Sequence, residues 1–412
     1  MKHYRSLILV CLTLQLALAG QAESLSSIFT NVASAPAVLP RRPNIILITT
    51  HGLGYGDLSS YGQVKFQTPN LDNLAAGGIR FTNYSVGGVA SSPVRAALLT
   101  GINPQALKQR EDVDVTLAPD EITVAQILKK SGYHTALIGE WDLGGDGTSG
   151  APWNKGFDEF GGYFDPADAE NYYADYIFRY TPNQSYDKAT GKWIEWSPAQ
   201  GPPTAGREML YANIDGKRGQ YIPDLYTKAA MNFIANSAPD QFNHYRPFFL
   251  LLDYAMPRVN VAETIRTGNG MQVPTDAPYS SEPWPQAEKN RAAMIARLDG
   301  DIGKLVQQLQ KLRQESNTVV FFTSVGLPKK TGGVDPQFFR SVLSTNDLRA
   351  PMIVNWPGKI PAGQVSGLKW SPRDFLPTAA EIGMVQVSTN LPGASILPVL
   401  LGRPSTNSSA MN

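Results

Sequence analysis

Ser91-Ser92-Pro93-Val94-Arg95 has the make-up of a helix mouth that could hold an anion. Ser92 is a preferred N-cap and Pro93 suits the first helical position, where its missing donor costs nothing. Residues 96–99 then supply a small apolar run. A helix start gathers unpaired N–H groups and a positive dipole end, and Arg95 adds a guanidinium suited to tetrahedral oxyanions. Ser91 could serve as a nucleophile only beside a base; otherwise it is a structural helix start. A second stretch, Glu140-Trp141-Asp142, offers paired carboxylates for acid–base work of the kind used on glycosides, or for neutralising arginines. A third, His51-Gly52, offers one imidazole. Calcium would require about six or more oxygens, and zinc would require partners such as Asp57 or Asp142. The loop Gly52-Leu53-Gly54-Tyr55-Gly56-Asp57 has the wrong glycine spacing for a dinucleotide fingerprint.

These groups need a scaffold, and the hydrophobic pattern supplies one. Residues 44–49, 135–138, 248–252, 318–323 and 351–355 are short, nearly continuous apolar runs, as expected of central strands buried on both faces. Between them lie helical stretches at 69–76, 123–131, 224–236, 287–312 and 372–382. Met294, Leu298, Ile302, Leu305, Leu309 and Leu312 recur at three- and four-residue steps in the longest of these. Alternating strands and helices predict an α/β fold with a doubly wound, mostly parallel sheet. Residues 161–220 break the pattern with aromatics, Pro and Gly, and read as a long excursion over the sheet edge or the site mouth. Its aromatic residues, from Tyr163 through Tyr172, Tyr173 and Trp193 to Trp196, could stack on sugar rings or pack the loop onto its scaffold. Residues 259–286 read as a second loop.

Composition narrows the field. The chain has 412 residues, 42% of them hydrophobic and 17% charged, with a formal net charge of +1. That size suits one large domain or two smaller ones, and no basic stripe points to nucleic acid. Lys2 and Arg5 precede an apolar run at 7–19, and small residues follow. Residues 1–22 therefore read as a cleavable secretory signal and 23–41 as a linker, so the protein is expected in the periplasm or outside the cell. No later segment reads as transmembrane. The single cysteine, Cys11, lies within that signal, so the mature chain has no thiol chemistry.

The Ser91 segment resembles the signature of the type I sulfatases of the alkaline phosphatase superfamily, Cys/Ser-x-Pro-x-Arg running into Leu-Thr-Gly. The likeness continues in order along the chain: Arg42-Pro43-Asn44-Ile45-Ile46-Leu47, Thr68-Pro69-Asn70-Leu71-Asp72, Gly132-Tyr133-His134-Thr135-Ala136, Gly156-Phe157-Asp158-Glu159-Phe160 and Trp356-Pro357-Gly358-Lys359-Ile360-Pro361. It spans residues 42–401. The resemblance implies that Ser91 is the formylglycine position and Arg95 its cationic partner. It also implies a calcium ion held by two aspartates after the first strand and an Asp-Asn pair after a later one. This chain has His51-Gly52 and Val325-Gly326 there. The family's lysine and histidine at Gly-Lys-Trp-His become Glu140 and Asp142, and a further histidine and lysine become Arg258 and Arg340.

Several expectations follow. Glu140 and Asp142 should pair with the arginines, no metal is expected, and calcium would be required if the protein were active. The chain closes soon after Leu401, before the small C-terminal subdomain the resemblance implies, and residues 402–412 read as a tail. The expected function is binding without catalysis, of an anionic or saccharide ligand in the cleft or of a protein on the face left by that subdomain. The alternatives are an ester hydrolase that uses Ser91 in a rebuilt site, and a regulatory subunit of an active relative.

Overall fold

The computed structural model describes residues 41–88, 90–103, 115–181, 185–187, 192–194, 205–239, 245–342, 347–387 and 391–403. The expected signal and nearly all of the linker, Trp196 and most of the tail lie outside these residues, as does the side chain of Trp193. The strands are β1 (Asn44–His51), β2 (Ile79–Phe81), β3 (His134–Glu140), β4 (Glu159–Tyr163), β5 (Tyr176–Tyr180), β6 (Ser185–Asp187), β7 (Lys192–Ile194), β8 (Gly206–Met209), β9 (Phe248–Tyr254), β10 (Thr318–Gly326), β11 (Met352–Asn355) and β12 (Gln364–Ser366). The helices are α1 (Pro69–Ala76), α2 (Ser91–Thr100), α3 (Val124–Lys130), α4 (Pro166–Ala169), α5 (Ile222–Ser237), α6 (Val261–Thr267), α7 (Gln286–Lys311), α8 (Phe375–Ile382) and α9 (Leu397–Leu400).

Ten strands form one sheet in the order β12-β2-β11-β10-β1-β9-β3-β4-β5-β8, and β6 pairs with β7 apart from it. The central run β10-β1-β9-β3-β4 is parallel throughout. β1, β9 and β10 are buried along their whole length, because helices cover both faces. Alternation along the strands divides the core. Ile46, Ile48, Leu250 and Leu252 face α1, α5 and α7. Ile45, Leu47, Phe249 and Leu251 face α2, α3 and α8. Each such side chain contributes about 1.5–3 kcal/mol on burial, which anchors the central strands between the two helical layers.

The expected architecture is present, with three differences. The 351–355 run pairs antiparallel to β10 rather than extending the parallel core. The 161–220 excursion contributes strands: β5 and β8 add antiparallel at the sheet edge, and α4 within it reaches the site. β8 is exposed at every residue, so it lacks the apolar alternation that betrays a strand. The 259–286 loop contains the short helix α6, capped by Asn260, whose side chain accepts from the Glu263 N–H. Parallel strands deliver their C-terminal ends to one edge, and in such sheets that is where ligands are met. Here those ends are His51, Glu140, Asp253-Tyr254 and Val325-Gly326.

Candidate active site

Arg95 lies one turn inside α2, only 1% exposed, and three carboxylates surround it. Its Nε meets Asp253 at 2.8 Å, one terminal nitrogen meets Glu140 at 3.2 Å, and the other meets Asp142 at 3.3 Å. The register accounts for this convergence. Asp253 near the end of β9 is flanked by Thr49 of β1 and Gly139 of β3, so it sits beside the last residue of β3, Glu140. Asp142 follows two residues later at φ 55°, a left-handed conformation that aspartate tolerates better than most residues. That turn carries its carboxylate to the mouth of α2, where the Ser92 hydroxyl donates to it. The expected N-cap role of Ser92 is thus corrected. The helix begins two residues earlier, at Ser91, Ala90 occupies the cap position, and the Ser92 side chain serves Asp142.

Arg258 makes a second knot. It pairs with Glu140 at 3.0 Å and Glu170 at 3.6 Å, donates to the Pro166 carbonyl at 2.6 Å, and lies 2.9 Å from His51 Nδ1. Burial, reinforced by Arg258, holds His51 well below its ordinary value, so the imidazole is neutral and its Nδ1 accepts from the guanidinium. Burial opposes ionisation of Glu140, but Arg258 and Arg95 outweigh it and bring its carboxyl down to about 2. Burial pushes Asp142 up to about 6, with Glu140 adding to the rise and Arg95 opposing it. Burial also raises Asp253, against the pull of Arg95.

Above these knots opens a cleft of about 610 Å³, reached by His51, Gly52, Ser91, Ser92, Asp142 and Arg258. Ser91 is 9% exposed, and its hydroxyl has no hydrogen-bond partner among the described residues. Arg95 and Glu140 lie behind the wall. Arg340 is exposed, at φ 54°, and takes no part in the cleft; Lys329 is the lysine that lines it instead. Asp57 is not available to His51. It is fully buried against Arg291, with nitrogen–oxygen distances of 3.0 and 2.5 Å, and accepts from Ser341 and from the Gly54 N–H. Two participants went unread in the sequence, Asp253 and Glu170. The signal for Asp253 was an acid directly following a fully apolar strand; Glu170 gave none.

The donors at the strand ends do not fit calcium. Residues 52 and 326 carry no side chain, and Val325 is apolar. The His51 ring occupies the space beside Gly326, its Cδ2 and Nε2 lying 2.3 and 2.4 Å from where a Cβ there would stand. The carboxylates that do gather converge on guanidinium groups. Among the described residues no three His, Cys, Asp or Glu side chains are grouped to hold a metal ion.

A mostly parallel sheet carrying its site at the strand ends, with a Ser-x-Pro-x-Arg helix start beside it, defines an α/β domain of the alkaline phosphatase type. A sequence profile for the sulfatases matches residues 43–383, and the chain belongs to the sulfatase family. It is 30% identical over 390 residues to N-acetylgalactosamine-6-sulfatase of Canis lupus familiaris, covering 88% of this chain and 67% of that one. It is also 30% identical over 396 residues to human arylsulfatase A, covering 90% and 70%. The chain spans about two thirds of the length of the curated relatives it matches. The solved structure of Ps i-CgsB in complex with k-i-k-neocarrahexaose superposes with a TM-score of 0.63 at 26% identity, over 88% of this chain and 77% of that one. No helix among the described residues is long and apolar enough to cross a membrane.

Proposed function

We propose that this sulfatase-family protein is exported and acts by binding, without hydrolysing sulfate esters. One observation carries the reading: Arg95, the cation retained from the family signature, is 1% exposed and already engaged by Glu140, Asp142 and Asp253. The protein's own carboxylates occupy the place where an oxyanion would be gripped. A sulfate ester entering the cleft would meet Asp142 at close range, and like charges in a poorly solvated site repel strongly. The strand ends, whose donors do not suit calcium, point the same way. Export rests on the charged and apolar leader at residues 1–22.

The test is turnover of 4-nitrophenyl sulfate by the full chain, with calcium supplied. We expect no rate above that of Ser91→Ala; robust turnover abolished by that substitution would overturn the proposal. The second reading, a hydrolase using Ser91, draws on the free Ser91 hydroxyl facing the cleft. Peptide mass measurement over residue 91 separates the two: formylglycine there would favour the enzyme.

A further inference from the structure

The cleft differs in charge from a receptor for anions, and its lining is part polar, part apolar. Of the charged side chains that line it or bond directly to those that do, five are carboxylates and four are cations. Arg95, Arg258 and Arg291 are each held by carboxylates, and His51 is neutral. The positive end of α2 is met by Asp142, which offsets roughly half a unit of charge. The excess is therefore negative. It is concentrated where Asp142, Asp165 and Glu170 face the cleft, and Lys329 on the rim is the lining cation that no carboxylate is recorded to hold.

The floor also offers hydrogen-bonding capacity that the protein leaves unused. Both recorded contacts of Asp142 fall on Oδ2, from Ser92 and Arg95, so Oδ1 has no partner among the described residues although the side chain is 6% exposed. Ser91, 9% exposed, presents a hydroxyl equally without a partner. Both atoms open onto the cleft, where a ligand that donates to the acceptor and pairs with the hydroxyl would take the place of water. Apolar side chains also line the cleft: Val259, Val261, Met271, Leu327 and Val334.

We propose that the cleft binds an organic ammonium ion, its N–H groups donating to Asp142 Oδ1 and the Ser91 hydroxyl and its apolar body lying against the apolar lining. A primary ammonium brings three donors to a floor that presents acceptors, and its charge meets the local excess. The inference rests on the non-catalytic reading above and names the class of ligand for that same cleft.

Calorimetric titration of the full chain at pH 7.5 with benzylammonium, benzyl alcohol and 4-nitrophenyl sulfate tests it. Saturable one-to-one binding of benzylammonium is expected, with the alcohol at least about tenfold weaker because it lacks the charge-assisted bonds, and no binding of the sulfate. Asp142→Asn should abolish the preference for the amine. Should that variant fail to fold, two others decide: Ser91→Ala should weaken benzylammonium about threefold or more, and Lys329→Glu on the exposed rim should tighten it about two- to fivefold at low salt. Equal affinity for amine and alcohol, no binding of either, tighter binding of the sulfate, or indifference to the Ser91 and Lys329 changes would each overturn the proposal. Turnover of the sulfate would instead overturn the non-catalytic reading, so the two failures are distinguishable.

Discussion

Replacing Arg95 by methionine tests whether this residue now serves the fold. Methionine keeps much of the aliphatic volume while removing the guanidinium. Glu140 would keep Arg258 at 3.0 Å and Asp142 would keep the Ser92 hydroxyl. Asp253, fully buried, would lose its ion-pair partner at 2.8 Å. The expected cost is therefore that of one stranded buried carboxylate, about 3–5 kcal/mol, and not three times that amount. For a chain of this length, the thermal midpoint should fall by roughly 3–6 °C. Urea unfolding monitored by tryptophan fluorescence measures the loss. Two companions sharpen it. Asp253→Asn in the same background should recover part of the loss, because a neutral amide no longer needs the cation. The deficit should also shrink as the pH is lowered, since the abandoned carboxylate can then take up a proton. A variant within about 1 kcal/mol of wild type at neutral pH, with no change in its pH dependence, would refute the assignment of Arg95 to a stabilising cluster.

Four further outcomes are expected. Asp142 is raised from 3.8 to about 6, so the folded state binds its proton more tightly than the unfolded one. Its contribution should lower stability as the pH rises from about 4 to 6, by of order 1–3 kcal/mol, and Asp142→Asn should remove that fall in pH-dependent urea melts. Glu140, lowered from 4.5 to about 2, acts in the opposite direction, stabilising above its ordinary value and losing that contribution as the pH drops toward 2. Gly326→Ala would place a methyl group 2.3 Å from the His51 ring and should cost about 1–3 kcal/mol, with the loss reduced in His51→Ala/Gly326→Ala, as a double-mutant cycle would show. Millimolar calcium should leave the thermal midpoint unchanged, whereas a site filled a hundredfold above its dissociation constant would add about 2.7 kcal/mol.

How far the sequence could be read depended on how each element earns its stability. β1, β9 and β10 are buried on both faces, so continuous apolar runs marked them without any partner in view. α7 announced itself through its leucine spacing. β5 and β8 lie at a sheet edge, where half-exposed backbone is paired by residues such as Arg179 and Glu208, and no alternation survives to mark them. The site divided along the same line. Glu140, Asp142 and Arg258 were expected to pair because the family resemblance placed them together, and they do come together with Arg95. Arg340 was aligned by order alone, and the turn that carries it faces solvent. The apolar run ends at Leu252, but the strand continues through Asp253, a buried acid whose charge Arg95 meets at 2.8 Å, and nothing in the run itself marks that partner.

The imidazole of His51 seated over Gly326 also bears on history. A chain given oxygen-bearing side chains at these strand ends one substitution at a time would meet an obstacle at each. An asparagine at position 326 collides with the ring while His51 remains. An aspartate at position 52 must adopt φ 84° with its Cβ 3.2 Å from the Pro257 carbonyl. Position 326 can take a side chain only after the His51 ring is gone, so the order of substitution would decide whether each intermediate folds. Selection acting on the folded protein would then preserve the present arrangement even where no ligand is at stake, as a ratchet does.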